Sequence, residues 1–174
     1  MTLLVADTSS LVSLGCTADD EASALGLLIE VFEVVVPEAV AEELETLASY
    51  EHPHRDAADA AEALVGDVRV VSQSSIADSV PPLDPGERAA IELANTEHAT
   101  YLLCDEFTNL TLIASALGER TELLTTPALM AAFVVRGVLE APEARTQLDG
   151  IAADRSWEAN AYYRRARRRL DRLD

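Results

Sequence analysis

Four carboxylates stand in short motifs suited to metal-assisted chemistry: Asp7 in LLVADTSSL, Glu43 in VPEAVAEEL, Glu87 in LDPGERAAIELA and Asp105 in YLLCDEF. Carboxylates brought within a few ångströms of one another cannot all stay ionised; either some take up protons or a divalent cation binds. An all-oxygen donor set without Cys or His selects Mg²⁺ or Mn²⁺ over zinc. Glu106 and Ser9, beside the two Asp residues in sequence, are secondary candidates for the same site.

The elements that must position these acids alternate strand and helix. Leu3 to Ala6 is a compact apolar run closed by Asp-Thr-Ser, the composition of a strand feeding a helix N-cap. A helix is predicted over 20–31. Glu33 to Val36 is a β-branched strand, and Pro37 at a first helical position opens a helix to about Ala48. An Ala-rich helix over 54–66, a strand over Val68–Val71 and a polar loop over Gln73–Leu83 follow. Asp84, Pro85 and Glu87 open a helix to about Thr96. Tyr101–Cys104 forms a strand, Phe107–Leu117 a helix, and Leu123 with Leu124 a short last strand. From Pro127 the chain reads as helical, with breaks near Ala141 and Pro142 and around Asp154. This βαβ alternation predicts a parallel sheet covered on both faces.

In such sheets the reactive crevice lies beyond the carboxyl ends of the strands. Asp7 and Asp105 are the first polar residues after apolar strands, apart from Cys104, so both should face it. Each also has a plain structural reading, as a helix cap for Asp7 and a turn former for Asp105. Glu87 has the strongest such alternative, because Asp84-Pro85-Gly86-Glu87 is a near-ideal capping box. Gly86 weakens that turn and fits a close approach of backbone or ligand. On the helix that follows Pro37, Val40 and Leu44 share the core stripe, which turns Glu43 inward and Glu42 away. His52, His54 and His98 fall in loops or helix ends, where a surface position away from the four motifs is expected.

Taken in this order on these elements, the four motifs resemble a PIN-domain ribonuclease, over about residues 1–150. LLTTPALMAAFVVRGVLEAPEA resembles the segment after the fifth strand in the VapC-like toxin branch with a Gly-Glu third motif. The resemblance implies a three-layer α/β/α sandwich around a parallel sheet of about five strands. It assigns Asp7, Glu43, Glu87 and Asp105 to an acidic quartet binding Mg²⁺ or Mn²⁺, with Thr8 or Ser9 supporting the first acid. That branch often carries an Arg shortly after the fourth acid. Here the stretch is FTNLTL and offers Asn109.

Composition narrows the remaining classes. The 174 residues are long enough for one domain with a real core, and no apolar run approaches the roughly 18 residues of a membrane span. Without a leader-like start, and with Cys16 and Cys104 in no metal or disulfide spacing, the chain reads as cytoplasmic. All thirteen basic residues are Arg, which removes P-loop and Schiff-base chemistry. A net charge of −18 without lysine resembles proteins of salt-rich cytoplasm, where a Debye length of about 3 Å screens self-repulsion. Residues 155–174 hold seven Arg and three acids, net +4, against −22 for the rest.

The expected activity is therefore metal-dependent endoribonuclease cleavage, as the toxin of a toxin–antitoxin pair. The alternative is a non-catalytic PIN-like binding or regulatory module. A haloacid-dehalogenase-type phosphotransferase is excluded because position 9 is Ser where that chemistry needs Asp. RNA, an antitoxin protein and a second copy of the chain are the expected partners. The Arg164–Arg169 cluster is a candidate phosphate contact, or else a solvated face on a helix packed by Trp157, Ala161 and Leu170. Residues 151–174 are expected to form an Arg-rich helix packed on, or extending from, the 1–150 body.

Overall fold

In the computed structural model, which describes residues 1–73 and 83–174, five strands form one wholly parallel sheet in the order β3-β2-β1-β4-β5. They are β1 (Thr2–Ala6), β2 (Phe32–Pro37), β3 (Arg69–Val71), β4 (Tyr101–Leu103) and β5 (Glu122–Leu124). Nine helices are present among the described residues: α1 (Thr8–Gly15), α2 (Ala24–Val31), α3 (Glu38–Ser49), α4 (Arg55–Val65), α5 (Pro85–Thr96), α6 (Leu110–Ala116), α7 (Thr126–Val135), α8 (Ala141–Arg155) and α9 (Ala161–Leu170). None is long and apolar enough to cross a membrane.

Strand periodicity divides the core into two layers. Leu4, Ala6, Val34, Val36 and Leu103 pack toward α1 to α4 and α7 to α9, whereas Val5, Val35, Leu102 and Cys104 pack toward α5 and α6. Burial on both faces explains why these strands are apolar without alternation, and the result is an α/β/α sandwich. Pairing of Leu4 with Val34, Ala6 with Leu103 and Leu103 with Leu124 brings the strand ends level. The order reverses between β1 and β4, which places the topological switch point between the strands that carry Asp7 and Asp105.

Several boundaries differ from expectation for local reasons. The second helix starts at Ala24, because Ser23 caps it by accepting from the Gly26 N–H, leaving 20–23 in a turn. Pro37 is the N-cap of α3 with extended backbone, one residue before the helix begins. The helix after Asp105 starts only at Leu110, because Phe107 and Asn109 make turns back to the carbonyls of Asp105 and Glu106. Of the polar loop predicted over Gln73–Leu83, residues 74–82 lie outside the described residues.

The C-terminal segment packs through Ala166 and Leu170, both buried, onto α7 and α8. Ala161 is exposed, so the stripe is set by Trp157, Ala166 and Leu170. Position 150 lies inside α8, which runs without interruption to Arg155.

Candidate active site

Asp7 leaves β1 with only 3 % of its surface exposed. Its carboxylate caps α1: Oδ1 accepts from the Ser10 N–H at 2.9 Å and Oδ2 from the Ser9 hydroxyl at 2.7 Å. The capping reading of this residue therefore holds, and the carboxylate is fixed at the crevice by the same bonds. Ser10 in turn ties the first turn of α1 to β4 by donating to the Leu103 carbonyl at 3.0 Å. Burial raises the Asp7 carboxyl above its ordinary value, and the Ser10 and Ser9 bonds offset part of that rise.

Asp105, 6 % exposed, sits two residues past β4. Its Oδ1 accepts from the backbone N–H of Thr126 at 2.7 Å, in the first turn of α7, where helix dipole and free N–H groups favour an anion. Its Oδ2 is buried and has no hydrogen-bond partner among the described residues. Burial pushes this carboxyl up to about 6 against the Thr126 bond. Ser9 links the two strand-end residues, since its hydroxyl donates to Asp7 and accepts from the Asp105 N–H at 3.1 Å.

Glu43 is the inward acid of α3, and Glu42 is exposed. The Thr8 hydroxyl donates to Glu43 Oε2, and the Gly86 backbone lies against the same carboxylate. A Cβ at position 86 would stand 2.5 Å and 2.6 Å from the two Glu43 oxygens. The glycine before Glu87 is thus a packing requirement of the Glu43 carboxylate against the start of α5. Burial raises the Glu43 carboxyl, with Thr8 opposing.

Glu87 does both things its sequence suggested. Asp84 Oδ1 accepts from the Glu87 N–H at 2.8 Å, and Glu87 Oε2 accepts from the Asp84 N–H at 3.0 Å, a complete capping box. Its half-buried side chain also lines the crevice, where burial pushes it up to about 7.

These groups surround a cavity of about 190 Å³. Asp7, Thr8, Ser9, Glu43, Asp84, Glu87 and Glu106 form its polar wall, with Val12, Leu47, His52, His54 and Arg155 completing it. Asp105 is not on the wall itself and connects to it through Ser9. Asn109 is not on the wall either; it is the N-cap of α6.

The expectation that the histidines lie away from the acidic motifs fails for His52 and His54. Glu43 and Leu47 are one turn apart on α3, and residues 50–54 carry that face directly onto the cavity before α4 begins. Burial first, then the neighbouring Arg155, holds the His54 imidazole below its ordinary value. Arg155 was not anticipated. No local pattern marks it, because it arrives from the end of α8 through tertiary packing.

Among the described residues, no three Asp, Glu, His or Cys side chains are already gathered closely enough to hold an ion. The donor chemistry nonetheless fits a hard divalent cation. Five carboxylates line one cavity, Asp7, Glu43 and Glu87 among them, and Asp105 brings a buried oxygen with no partner among the described residues.

A family model described as a PIN domain matches residues 3–172. The chain belongs to the PIN-domain family. No curated protein matches its sequence. PIN domains are generally nucleases that depend on divalent metal ions, and the five-stranded parallel sheet with its acidic switch-point cavity agrees with that fold. The match takes in α9, so the arginine-rich helix lies within the PIN-domain region. There Arg167 pairs with Asp149 at 2.9 Å and Arg145 with Asp174 at 2.6 Å, while Arg165, Arg168 and Arg169 are exposed and make no ion pair among the described residues. Tyr163 donates to Asp149 at 2.9 Å. Tyr162 stacks on Phe107 with ring centroids 5.3 Å apart.

Proposed function

We propose that this PIN domain is a metal-dependent endoribonuclease that hydrolyses RNA phosphodiester bonds, acting as the toxin of a toxin–antitoxin pair. The observation that carries the reading is the convergence of Asp7, Glu43 and Glu87 on one cavity at the switch point, beside Asp105, whose backbone N–H is tied to Ser9 and whose buried Oδ2 has no partner among the described residues. Asp7, Glu43, Glu87 and Asp105 would hold Mg²⁺ or Mn²⁺, with Glu106 and Ser9 beside them. When bound, such an ion supplies Lewis acidity toward a phosphodiester and lowers the pKa of a coordinated water.

The protein's own groups do the rest. Ser9 fixes the orientation of Asp7 and of the Asp105 backbone, and Thr8 fixes Glu43. The capping bond from the Asp84 N–H fixes Glu87 Oε2, and the Glu87 side chain is presented to the same cavity. Val12 and Leu47 make the apolar part of the wall.

The four acids of this reading lie within 1–150, while 151–174 completes α8, brings Arg155 to the cavity and adds the arginine-rich α9. A small antitoxin protein is the expected partner, and a homodimer is the expected assembly. The lysine-free acidic surface supports a cytoplasm rich in salt. The competing reading, a non-catalytic PIN-like module, draws on the capping bond that already engages Glu87.

Cleavage of a single-stranded RNA with Mn²⁺ at high salt separates the two. The nuclease reading predicts 5′-phosphate products from the wild type and none from Asp7→Asn or Glu87→Gln. No cleavage by wild type, or equal cleavage by the variants, removes it. A small open reading frame adjacent to this one would support the toxin assignment.

A further inference from the structure

Arg155 is the last residue of α8, and its position is set from both sides. Ser156 ends the helix in the left-handed conformation (φ 58°, ψ 45°), and the Trp157 N–H returns to the Ala152 carbonyl at 2.8 Å. Trp157 is buried and meets Phe107 edge-on, with ring centroids 5.0 Å apart. Phe107 lies two residues beyond Asp105, so one aromatic contact fastens the end of α8 to the loop carrying the fourth acid.

The side chain so placed lines the acidic cavity, yet it makes no salt bridge among the described residues. Its Nε is buried without a hydrogen-bond partner among the described residues. In a chain of net charge −18, with five carboxylates on the same cavity, an unpaired guanidinium calls for a ligand. A buried donor left unsatisfied is costly, and an arginine is permanently charged. Among the described residues Arg155 is the one permanent cation on this wall.

We infer that Arg155 grips a backbone phosphate of single-stranded RNA at the mouth of the acidic cavity. The inference rests on the ribonuclease reading and adds to it the group that holds the substrate. A guanidinium offers several N–H donors in a planar fork that matches two phosphate oxygens, whereas the acids alone would repel the strand. Through Phe107 and Trp157, the grip is held in register with the Asp105 loop.

The test is fluorescence anisotropy of an end-labelled single-stranded oligoribonucleotide in a KCl titration with Mg²⁺ present, on Asp7→Asn protein so that the probe stays intact. Adding Arg155→Gln is expected to weaken binding about tenfold or more. It should also reduce the slope of log affinity against log salt by about 0.7, the increment for one phosphate contact on a single strand. Arg120→Gln, at an exposed arginine away from the cavity, should leave both unchanged.

Arg155→Lys keeps the charge and loses the fork. It should retain the slope with weaker binding, and it serves as the test variant if Arg155→Gln does not fold. Unchanged affinity and slope in Arg155→Gln, parent-like affinity in Arg155→Lys where that variant replaces it, or no RNA binding by the parent overturns the inference. If the wild type cleaves no RNA while Arg155→Gln still loses affinity and slope, the ribonuclease reading falls and the phosphate grip stands.

Discussion

The two halves of the acidic site are built differently. In the deep half the Asp7 and Asp105 carboxylates are almost wholly buried and Ser9 is half-buried, all tied into the ends of β1 and β4 and the starts of α1 and α7 with the help of backbone N–H donors. The rim half, Glu43, Glu87, His52, His54 and Arg155, is borne on helix faces and a loop, and its orienting bonds come from side chains or a capping box. Deep residues should therefore mix structural and functional effects, whereas rim residues should act mainly on substrate and rate.

The largest expected effect is in the deep half. Asp7→Asn keeps a capping side chain but removes a charge from the cavity, and it is predicted to lower RNA cleavage by about a hundredfold or more in steady-state assays. Gly86→Ala tests the rim. Its methyl would occupy the space of the Glu43 carboxylate, so cleavage should fall about tenfold with little loss of thermal stability. A large drop in melting temperature with normal activity would show that the glycine serves the fold and not the acid.

Charge burial in both halves shows as a function of pH. The Asp105 and Glu87 carboxyls are pushed from 3.8 and 4.5 up to about 6 and about 7, each first by burial. Over that window the folded protein keeps protons that the unfolded chain has already lost. Metal-free stability is thus expected to fall as pH rises from about 4 to about 7, and to level off above. Asp105→Asn should remove much of that slope, and unfolding followed against pH in a chelator would measure it. Asp105→Asn unfolding with the wild-type slope would mean that the deep carboxyl does not carry the strain.

Ser9→Ala is expected to cost about 1–3 kcal/mol, because it frees a buried Asp105 N–H as well as an Asp7 oxygen. At the small end, Arg167→Ala breaks partly exposed pairs with Asp149 and Asp171 and should change stability by less than about 1 kcal/mol.

The deep half was also the part most legible in the sequence. Asp7 and Asp105 follow apolar strands, and in a parallel sheet a strand end already aims a side chain at the crevice. Glu43 was readable from helix phase against Val40 and Leu44, and Gly86 was marked because it weakens the capping box around it. His52, His54 and Arg155 carried no comparable signal. Their approach depends on how residues 50–54 continue the Leu47 face, and on an edge-on contact between Phe107 and Trp157, two residues 50 positions apart. Long-range packing of this kind has no local period to read.

The most direct test of the central claim, that these carboxylates form one cation-binding centre, is thermal unfolding under Mn²⁺ titration of wild type and Asp7→Asn at pH 7.5. The account predicts a melting temperature that climbs with Mn²⁺ in the wild type, following binding linkage, and a flat response in the variant. A wild-type protein indifferent to Mn²⁺, or a variant that responds equally, would contradict it.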